Sequence, residues 1–209
     1  LGLVPAQTAA RARTIKGSGV MRTETREAGR YTGLKVARGV AATIVESDSE
    51  KLVVEADESD GTLALYRPHI LVLNAVDFDH LEHFASQEAY FDCYRAVLRN
   101  TTGTVIVCAD HPKALDLAHE AVRPGVRLVT FGFASDADLR AADWPRLGEL
   151  VLGRHNVLNA LAAIAVARAC GHADDAIAAA LPDALAELPD RRFQQVWSAP
   201  PVYTDYAHH

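Results

Sequence analysis

The chain has 209 residues, of which 49% are hydrophobic and 23% are charged, values that are ordinary for a globular protein with its own core and that exclude a wholly disordered chain. It has neither an apolar run of the roughly 18 residues that span a bilayer nor an apolar stretch typical of a secretory signal, so we expect no membrane insertion and a cytoplasmic location. The net charge is −6, but residues 1–45 carry +6 in scattered basic side chains without a helical stripe, which favours a segment of another domain over a nucleic-acid-binding arm.

Residues 1–45 do not show a regular order of elements. The stretch TIKGSGV at 14–20 is similar to a glycine-rich turn, but no apolar strand precedes it, and a lone glycine motif is weak evidence. We therefore expect these residues to be the remnant of a separate N-terminal domain.

From residue 51 onward, short apolar runs alternate with helical stretches. The apolar runs predict strands at 51–56, 69–75, 104–109, 127–133 and 149–152. Helical patterns predict helices at 86–98, 112–121, 154–170 and 173–188. This alternation is typical of βα units, so the sequence predicts an α/β fold with a mostly parallel sheet flanked by helices.

Local signals mark the ends of the predicted helices. Ser86 is a predicted N-cap with Glu88 in the first turn, and Pro112 suits the first position of the following helix. Gly171 stands just past the predicted end of helix 154–170, a position at which glycine is favoured. Pro182 predicts an interruption of the last helix.

The three cysteines are far apart in the sequence. Cys93, Cys108 and Cys170 lack the CxxC spacing of metal or redox sites, and their odd number does not suit a disulfide framework. We interpret them as buried, reduced thiols.

The predicted strand 51–56 runs directly into acidic residues. Glu55 begins the sequence EADESD, which holds four carboxylates in six residues. Ligands of open α/β sheets bind beyond the carboxyl ends of the strands, and Mg²⁺ is bound through oxygen ligands, so Glu55 is a candidate metal ligand. The alternative is a solvated acidic loop that caps the next helix.

The next predicted strand also ends in polar residues, in the sequence NAVDFDH at 74–80. If the strands at 51–56 and 69–75 are neighbours, Glu55 and His80 meet at one edge of the sheet and can share a metal ion. A histidine in a surface turn is the alternative. His80 and His83 lack the HExxH spacing, which disfavours a zinc hydrolase.

The start of helix 154–170 holds the third candidate group, in the sequence GRHNVLN. Asn156 and Asn159 are three residues apart and are predicted to share a polar helix face, with His155 beside them. An amide has both a donor and an acceptor, as the edge of a purine requires, and the backbone amides of the first turn suit an anion. Simple capping with solvated polar side chains is the alternative.

Two further groups follow residue 190. Arg191 and Arg192 can hold phosphate oxygens, or they are an ordinary polar hinge. Asp205 begins the sequence DYAHH, whose final histidines are also typical of an expression tag.

Taken in order, these motifs resemble the central ATP-binding domain of the Mur ligases, most closely the branch that joins UDP-N-acetylmuramate to L-alanine. The resemblance covers about 155 residues and depends on EADESD at 55–60, N-x4-DH at 74–80, GRHNVLNALAAIAVA at 153–167, RRF at 191–193 and DYAHH at 205–209. Five motifs in the family order are specific, although each alone is not. The resemblance implies an α/β fold of the P-loop-like kind.

The resemblance also implies roles for the matching residues. Glu55 would be the family's magnesium-binding glutamate, and His80 would help to hold a second Mg²⁺. Arg192, or its neighbour Arg191, would contact phosphate. The catalytic group that the resemblance implies is therefore Glu55, His80 and Arg192.

The remaining motif residues would bind the nucleotide. The resemblance implies that His155, Asn156 and Asn159 form the adenine-binding element. Asp205 would lie near the ATP ribose, in the linker to a third domain.

The resemblance implies peptidoglycan chemistry with UDP-N-acetylmuramate, L-alanine and ATP as small-molecule substrates. ATP converts the muramoyl carboxylate to an acyl phosphate, the amine attacks it, and phosphate leaves. Mg²⁺ would neutralise phosphoryl oxygens, so the protein would supply mainly positioning and electrostatics. A homodimer is compatible with this resemblance, and nucleic acid has no role in it.

The sequence departs from the family at the phosphate loop, because no Gly-Lys-Ser or Gly-Lys-Thr occurs in it. We favour an incomplete record of a longer ligase. On that interpretation, 1–45 is a remnant of the UDP-binding domain, 46–190 is the central ATP-binding domain, and 191–209 is a linker into a missing C-terminal domain. The alternatives are the murein tripeptide recycling ligase and a degenerate, non-catalytic Mur-like binding protein.

Overall fold

The computed structural model describes residues 15–16, 36–37, 40–45, 51–56, 58–78, 83–186 and 194–204. The chain divides into two compact units between Leu63 and Ala64. The domain boundary at 45/46 that the sequence predicts stays a prediction.

The described residues of the first unit form two small sheets. Strands β1 (Ile15–Lys16) and β2 (Val36–Ala37) pair in parallel, whereas β3 (Val40–Val45) and β4 (Lys51–Ala56) pair antiparallel. The predicted bounds of β4 are confirmed, but its predicted parallel pairing is wrong. Only five residues join β3 to β4, and a connection this short favours an antiparallel hairpin over a parallel crossover.

The second unit contains a parallel sheet of four strands flanked by helices. In sheet order the strands are β5 (Ile70–Leu73), β6 (Thr104–Cys108), β7 (Arg127–Gly132) and β8 (Leu139–Arg140). The helices are α1 (Gln87–Asn100), α2 (Pro112–Ala121), α3 (Leu147–Leu150), α4 (Arg154–Ala169) and α5 (Asp174–Ala186). The predicted fold class, a mostly parallel sheet flanked by helices, is confirmed.

The predicted helix starts are confirmed by their caps. The Ser86 hydroxyl accepts a hydrogen bond from the amide of Ala89 at 3.1 Å, and Pro112 is the first residue of α2. The Ser86 hydroxyl provides an acceptor for a backbone amide that the first helical turn would leave unpaired. Pro112 has no backbone N–H, so no donor is left unpaired at its position.

The sheet buries its two faces against different helices. Alternate residues of a strand point to opposite faces, and in β6 Ile106 and Cys108 belong to the apolar cluster that contains α4. Leu161 and Ile164 of α4 are fully buried in the same cluster. Each such side chain contributes about 1.5–3 kcal/mol to folding, so burial of α4 is a major stabilising term of this unit.

The predicted strand at 149–152 is wrong, because the chain forms the single-turn helix α3 there. The amide of Val151 donates to the carbonyl of Leu147 at 3.0 Å, and both side chains are buried. Leu147 and Val151 have helical i, i+4 spacing, which outweighs the short apolar run that suggested a strand. The fourth strand is β8 instead, where buried Leu139 pairs with Phe131.

The predicted interruption at Pro182 is also wrong, since α5 continues through it. A proline inside a helix removes one hydrogen bond from the ladder. Ile177 is the one buried residue of α5, so water can reach most of its backbone. This exposure explains why the helix tolerates the lost bond.

Three further findings concern the described part of the chain. Strands β9 (Gln194–Ser198) and β10 (Pro201–Thr204) form an antiparallel hairpin that the sequence analysis did not predict. The three cysteines are not joined by disulfides, as expected, but Cys170 is only partly buried, whereas the prediction was a buried thiol. Burial raises the pKa of the Cys108 thiol. No helix in the described ranges is long and apolar enough to cross a membrane.

Helices α4 and α5 are joined by an ion pair whose effect depends on pH. Arg168 donates from Nε and Nη2 to the two carboxylate oxygens of Asp174, each at 2.7 Å. These hydrogen bonds lower the pKa of Asp174 below its ordinary value. A depressed carboxyl pKa stabilises the fold above the unfolded pKa, and this stabilisation is lost as the pH falls through the folded value.

We therefore expect Asp174→Asn to lower Tm at pH 7 and to have less effect as the pH falls below about 4, the ordinary range of an aspartate. Thermal unfolding followed by circular dichroism from pH 7 to pH 3.5 tests this. Asp175→Asn is the matched control, because Asp175 is exposed and has no ion pair in the described part of the chain. An equal loss of Tm in both variants at every pH would contradict the expectation.

Candidate functional site

The candidate site lies where the parallel strands end. We define the carboxyl edge as the residues that follow β5, β6 and β7 together with the start of α4, namely 74–78, 109–111, 133–134 and 153–156. Open parallel sheets bind ligands at this edge. Polar side chains from three of these segments lie here, and 133–134 contributes backbone amides.

Asp110 joins the ends of β6 and β7. Its two carboxylate oxygens accept hydrogen bonds from the backbone amides of Phe133 at 2.8 Å and Ala134 at 2.9 Å. The backbone of Gly132 passes so close that a Cβ there would lie 3.0 Å from the carboxyl carbon of Asp110. A residue larger than glycine at 132 would therefore push this carboxylate away from its partners.

Arg154, the first residue of α4, packs against the same segment. Its guanidinium lies 3.8 Å from the ring centroid of Phe133, and its Nη2 lies 3.8 Å from a carboxylate oxygen of Asp110. The side chain is 71% exposed, so its charge also faces solvent. Stacking of this kind holds a cation beside the first backbone amides of α4, which themselves favour an anion.

Asn156 and Asn159 do not share one polar face, so this prediction is wrong. Asn156 is only 3% exposed, and its Nδ2 donates to the carbonyl of Leu152 at 2.8 Å, whereas Asn159 is exposed. Ala160, four residues after Asn156, is buried on the same side of α4. The amide of Asn156 therefore closes the turn before α4, and Asn159 and His155 lie towards solvent.

His111 and Asp77 link the end of β6 to the end of β5. The Nδ1 atom of His111 accepts from the amide of Ala114 at 3.4 Å, which leaves the proton on Nε2, 3.3 Å from a carboxylate oxygen of Asp77. Asp77 is 80% exposed, so it is accessible to a ligand. The sequence analysis missed both residues, although His111 stands directly before the Pro112 that marked a helix start.

Several predicted site residues lie outside the described residues. These are His80, Arg191, Arg192 and Asp205. Glu55 is the fifth residue of β4, but its side chain is not described. In the described strands, β4 pairs with β3, and β5 pairs with β6. The predicted convergence of Glu55 and His80 on a metal ion therefore stays a prediction. Among the described residues, no group of three or more potential ligands could hold a metal.

A cavity in the described part of the second unit lies away from the carboxyl edge. It has a volume of about 380 Å³ and lies between α3 and α5, with Trp144, Leu147 and Leu181 in its apolar wall. Arg168, in the last turn of α4, also lines it, whereas Arg154 is in the first turn. A helix of 16 residues is about 24 Å long, so the cavity and the carboxyl edge are at opposite ends of α4.

Known proteins with similar sequences are ligases. The family described as "Mur ligase middle domain" matches residues 33–167. A UDP-N-acetylmuramate–L-alanine ligase of Arthrobacter sp. (strain FB24) is 40% identical over 177 residues, covering 77% of this chain and 38% of the relative. The enzyme of the same name from Mycobacteroides abscessus is 38% identical over 192 residues, covering 75% and 38%. The chain thus spans well under half the length of these relatives.

Solved structures give the same result for the fold. The UDP-N-acetylmuramate-alanine ligase of Thermotoga maritima has a TM-score of 0.54 and 26% identity, covering 73% of this chain and 38% of that one. MurF of Acinetobacter baumannii has a TM-score of 0.50 and 20% identity, covering 70% and 36%, a likeness of fold alone.

The Asp110 contacts predict a structural role for this carboxylate. Asp110→Ala leaves two backbone amides without their acceptor, so we expect the free energy of unfolding to fall by about 1–3 kcal/mol. Urea unfolding followed by fluorescence measures the change. Asp116→Ala, at an exposed position of α2, is the control and should change this free energy by less than about 0.5 kcal/mol. Equal stability of the two variants would refute the structural role.

Proposed function

Because the chain belongs to the Mur ligase family, we propose that the protein is an ATP-dependent ligase that joins UDP-N-acetylmuramate to L-alanine in peptidoglycan biosynthesis. The observation that carries this proposal is the 40% identity, over 77% of the chain, with a UDP-N-acetylmuramate–L-alanine ligase. The parallel sheet supports it, because its carboxyl edge gathers polar groups from several strand ends beside the start of α4. A cytoplasmic location stays a prediction.

The carboxyl edge is suited to a nucleotide triphosphate. Arg154 places a positive charge next to the first backbone amides of α4, and both attract phosphate oxygens. Asn159 and His155 lie exposed in the same turn and a half, where we propose that they contact adenine. Asn156 would act differently, because its amide is engaged with the carbonyl of Leu152 and fixes the turn that presents the other two.

We propose Glu55 and His80 as the residues that hold Mg²⁺. The donor chemistry fits, since carboxylate oxygen is a hard ligand and Glu55 stands one residue before the end of a strand. Bound Mg²⁺ would neutralise charge on the transferred phosphoryl group. Arg192 or Arg191 would contact phosphate, and Asp205 would bind the ribose, as the family resemblance implies.

In the reaction proposed, the protein's own groups act mainly by positioning. The muramoyl carboxylate attacks the γ-phosphorus of ATP and ADP leaves, which gives an acyl phosphate. The amine of L-alanine then attacks the acyl carbon, and phosphate leaves as the amide forms. The helices and strands that carry the charged groups of the carboxyl edge are held in place by the core. These groups therefore need little movement to stabilise the phosphoryl oxygens during the reaction.

One observation favours a second candidate. The printed sequence holds no Gly-Lys-Ser or Gly-Lys-Thr, so a Mur-like protein that binds nucleotide without ligation is the rival. Phosphate release by the complete natural protein, whatever its length, separates the two. Release that requires both UDP-N-acetylmuramate and L-alanine supports the ligase, and nucleotide binding without release supports the rival. Release with a tripeptide in place of L-alanine would instead indicate the murein tripeptide recycling ligase.

The metal proposal predicts the effect of removing one charge. In the complete natural protein, Glu55→Gln should lower kcat for phosphate release by about 10²-fold, the size of effect seen when one electrostatic stabiliser is lost. Glu149→Gln is the matched control, because it makes the same change at an exposed position of α3 and should retain full turnover. Retained turnover in Glu55→Gln would remove this residue from the proposed site.

The adenine proposal predicts different effects at the two asparagines. Asn159→Ala should raise the KM for ATP about fivefold and reduce the preference for ATP over GTP, because roughly one net hydrogen bond to adenine is lost. We expect no change in Tm, since Asn159 is exposed. Asn156→Ala should lower Tm, because it removes the buried bond to the carbonyl of Leu152. Steady-state kinetics with both nucleotides and thermal melts measure these effects. An unchanged nucleotide preference in Asn159→Ala would count against adenine contact.

A further inference from the structure

Arg154 and Phe133 form a flat stack at the carboxyl edge. The guanidinium carbon of Arg154 lies 3.8 Å from the centroid of the Phe133 ring. Flat carbon groups in van der Waals contact are roughly 3.5–4.0 Å apart, and an N–H group directed at the ring would hold this carbon farther away. One face of the guanidinium therefore lies on the ring. The other face is open, because the Arg154 side chain is 71% exposed despite this contact.

Phe133 is fixed by contacts other than the stack. Its side chain packs against the apolar cluster that contains α4. Its backbone amide donates to the carboxylate of Asp110 at 2.8 Å, and the amide of Ala134 donates to the same carboxylate at 2.9 Å. The ring that carries Arg154 is thus in place before any ligand binds, so a ligand does not have to order it.

Asp110 also affects what Arg154 can bind. A carboxylate oxygen of Asp110 lies 3.8 Å from Nη2 of Arg154, and an opposite charge at this distance offsets part of the attraction for another anion. The open face of the guanidinium can still stack, because guanidinium groups pack on aromatic faces and every nucleobase has such a face. Arg154 is therefore suited to a flat ring in addition to the attraction of phosphate described above.

The proposed function assigns residues to the edge of adenine but none to its faces. His155 follows Arg154 in the first turn of α4, and Asn159 is four residues after His155, so these two lie on one side of the helix. Both are exposed. Hydrogen bonds to the edge of a base select its identity, whereas stacking on its face supplies affinity that hardly depends on identity.

We propose that the Arg154–Phe133 stack is the platform for the adenine ring, which lies on the open face of the guanidinium while Asn159 and His155 contact its edge. This inference rests on the proposed function, in which the nucleotide binds at the carboxyl edge beside α4. Arg154 touches the base in this role. Phe133 touches no ligand and is a positioning residue for Arg154.

The test compares ATP with a ligand that has the phosphates but no base. In the complete natural protein, Arg154→Lys keeps the positive charge and removes the flat group. It should weaken binding of a non-hydrolysable ATP analogue about fivefold or more, as expected when a nucleobase loses one stacking partner. Binding of inorganic tripolyphosphate should change by less than about twofold, because the charge is retained. Isothermal titration calorimetry measures both ligands.

Arg127→Lys is the matched control, because it makes the same change at an exposed position at the start of β7. We expect it to leave the affinity for both ligands unchanged. An equal loss for both ligands in Arg154→Lys overturns the platform and assigns Arg154 to the phosphates alone. Unchanged binding of the ATP analogue in Arg154→Lys also overturns the platform.

Variants of Phe133 test its positioning role. Phe133→Leu keeps an apolar side chain against the core but removes the ring under Arg154, so it should show the same selective loss of the ATP analogue. Phe133→Tyr keeps the ring and should bind both ligands as the wild type does. A Phe133→Leu protein that loses Tm without a change in the ratio of the two affinities would overturn the positioning role, since a purely structural effect does not distinguish the ligands.

The wild-type protein separates this inference from the proposed function. If the complete natural protein does not bind the ATP analogue, the proposed function is wrong, and the platform falls with it. If it releases phosphate with UDP-N-acetylmuramate and L-alanine, but Arg154→Lys does not distinguish the ATP analogue from tripolyphosphate, the proposed function stands and the platform alone is overturned.

Discussion

The burial of helix α4 against the parallel sheet is the constraint on which the carboxyl edge depends. Leu161 and Ile164 pack with Ile106 and Phe131 in one fully buried cluster. Protein interiors are close-packed, so a helix held in this way cannot slide without opening voids. The first turn of α4 therefore takes its position from the core rather than from any ligand. A nucleotide that binds there meets charges that are already in place.

Charged groups at the carboxyl edge divide into those that build it and those that remain accessible. Asp110 is engaged by the amides of Phe133 and Ala134, and Arg154 stacks on the ring of Phe133. Their contacts tie β6, β7 and α4 together. The Asp77 side chain is mostly exposed, and within the described residues its carboxylate has His111 as its partner. Proximity to the sheet end is thus a poor guide to function, and the number of existing partners is a better one.

The sequence predicted the features that depend on local signals. The Ser86 cap and the first proline of α2 are confirmed, because each depends on residues that are close in the sequence. The family resemblance is confirmed as well, and it depends on the order of several motifs along the chain. The predictions failed where tertiary contacts decide. The burial of Leu147 and Val151 decides between α3 and a short strand, and no local signal shows that Asn156 turns inward while Asn159 does not. The role of Asp110 was not predictable for the same reason, since its amide partners are more than twenty residues away in the sequence.

The apolar cavity at the far end of α4 has a spectroscopic consequence. The protein has two tryptophans, one in the wall of this cavity and the other on the β9–β10 hairpin, where Trp197 is 63% exposed. Their emission should differ, because the hairpin indole is in contact with water and accessible to iodide, whereas Trp144 is partly shielded and lies beside the Arg168 guanidinium. Quenching of the solvent-exposed indole would leave a signal from Trp144 that reports occupancy of the cavity without any added label.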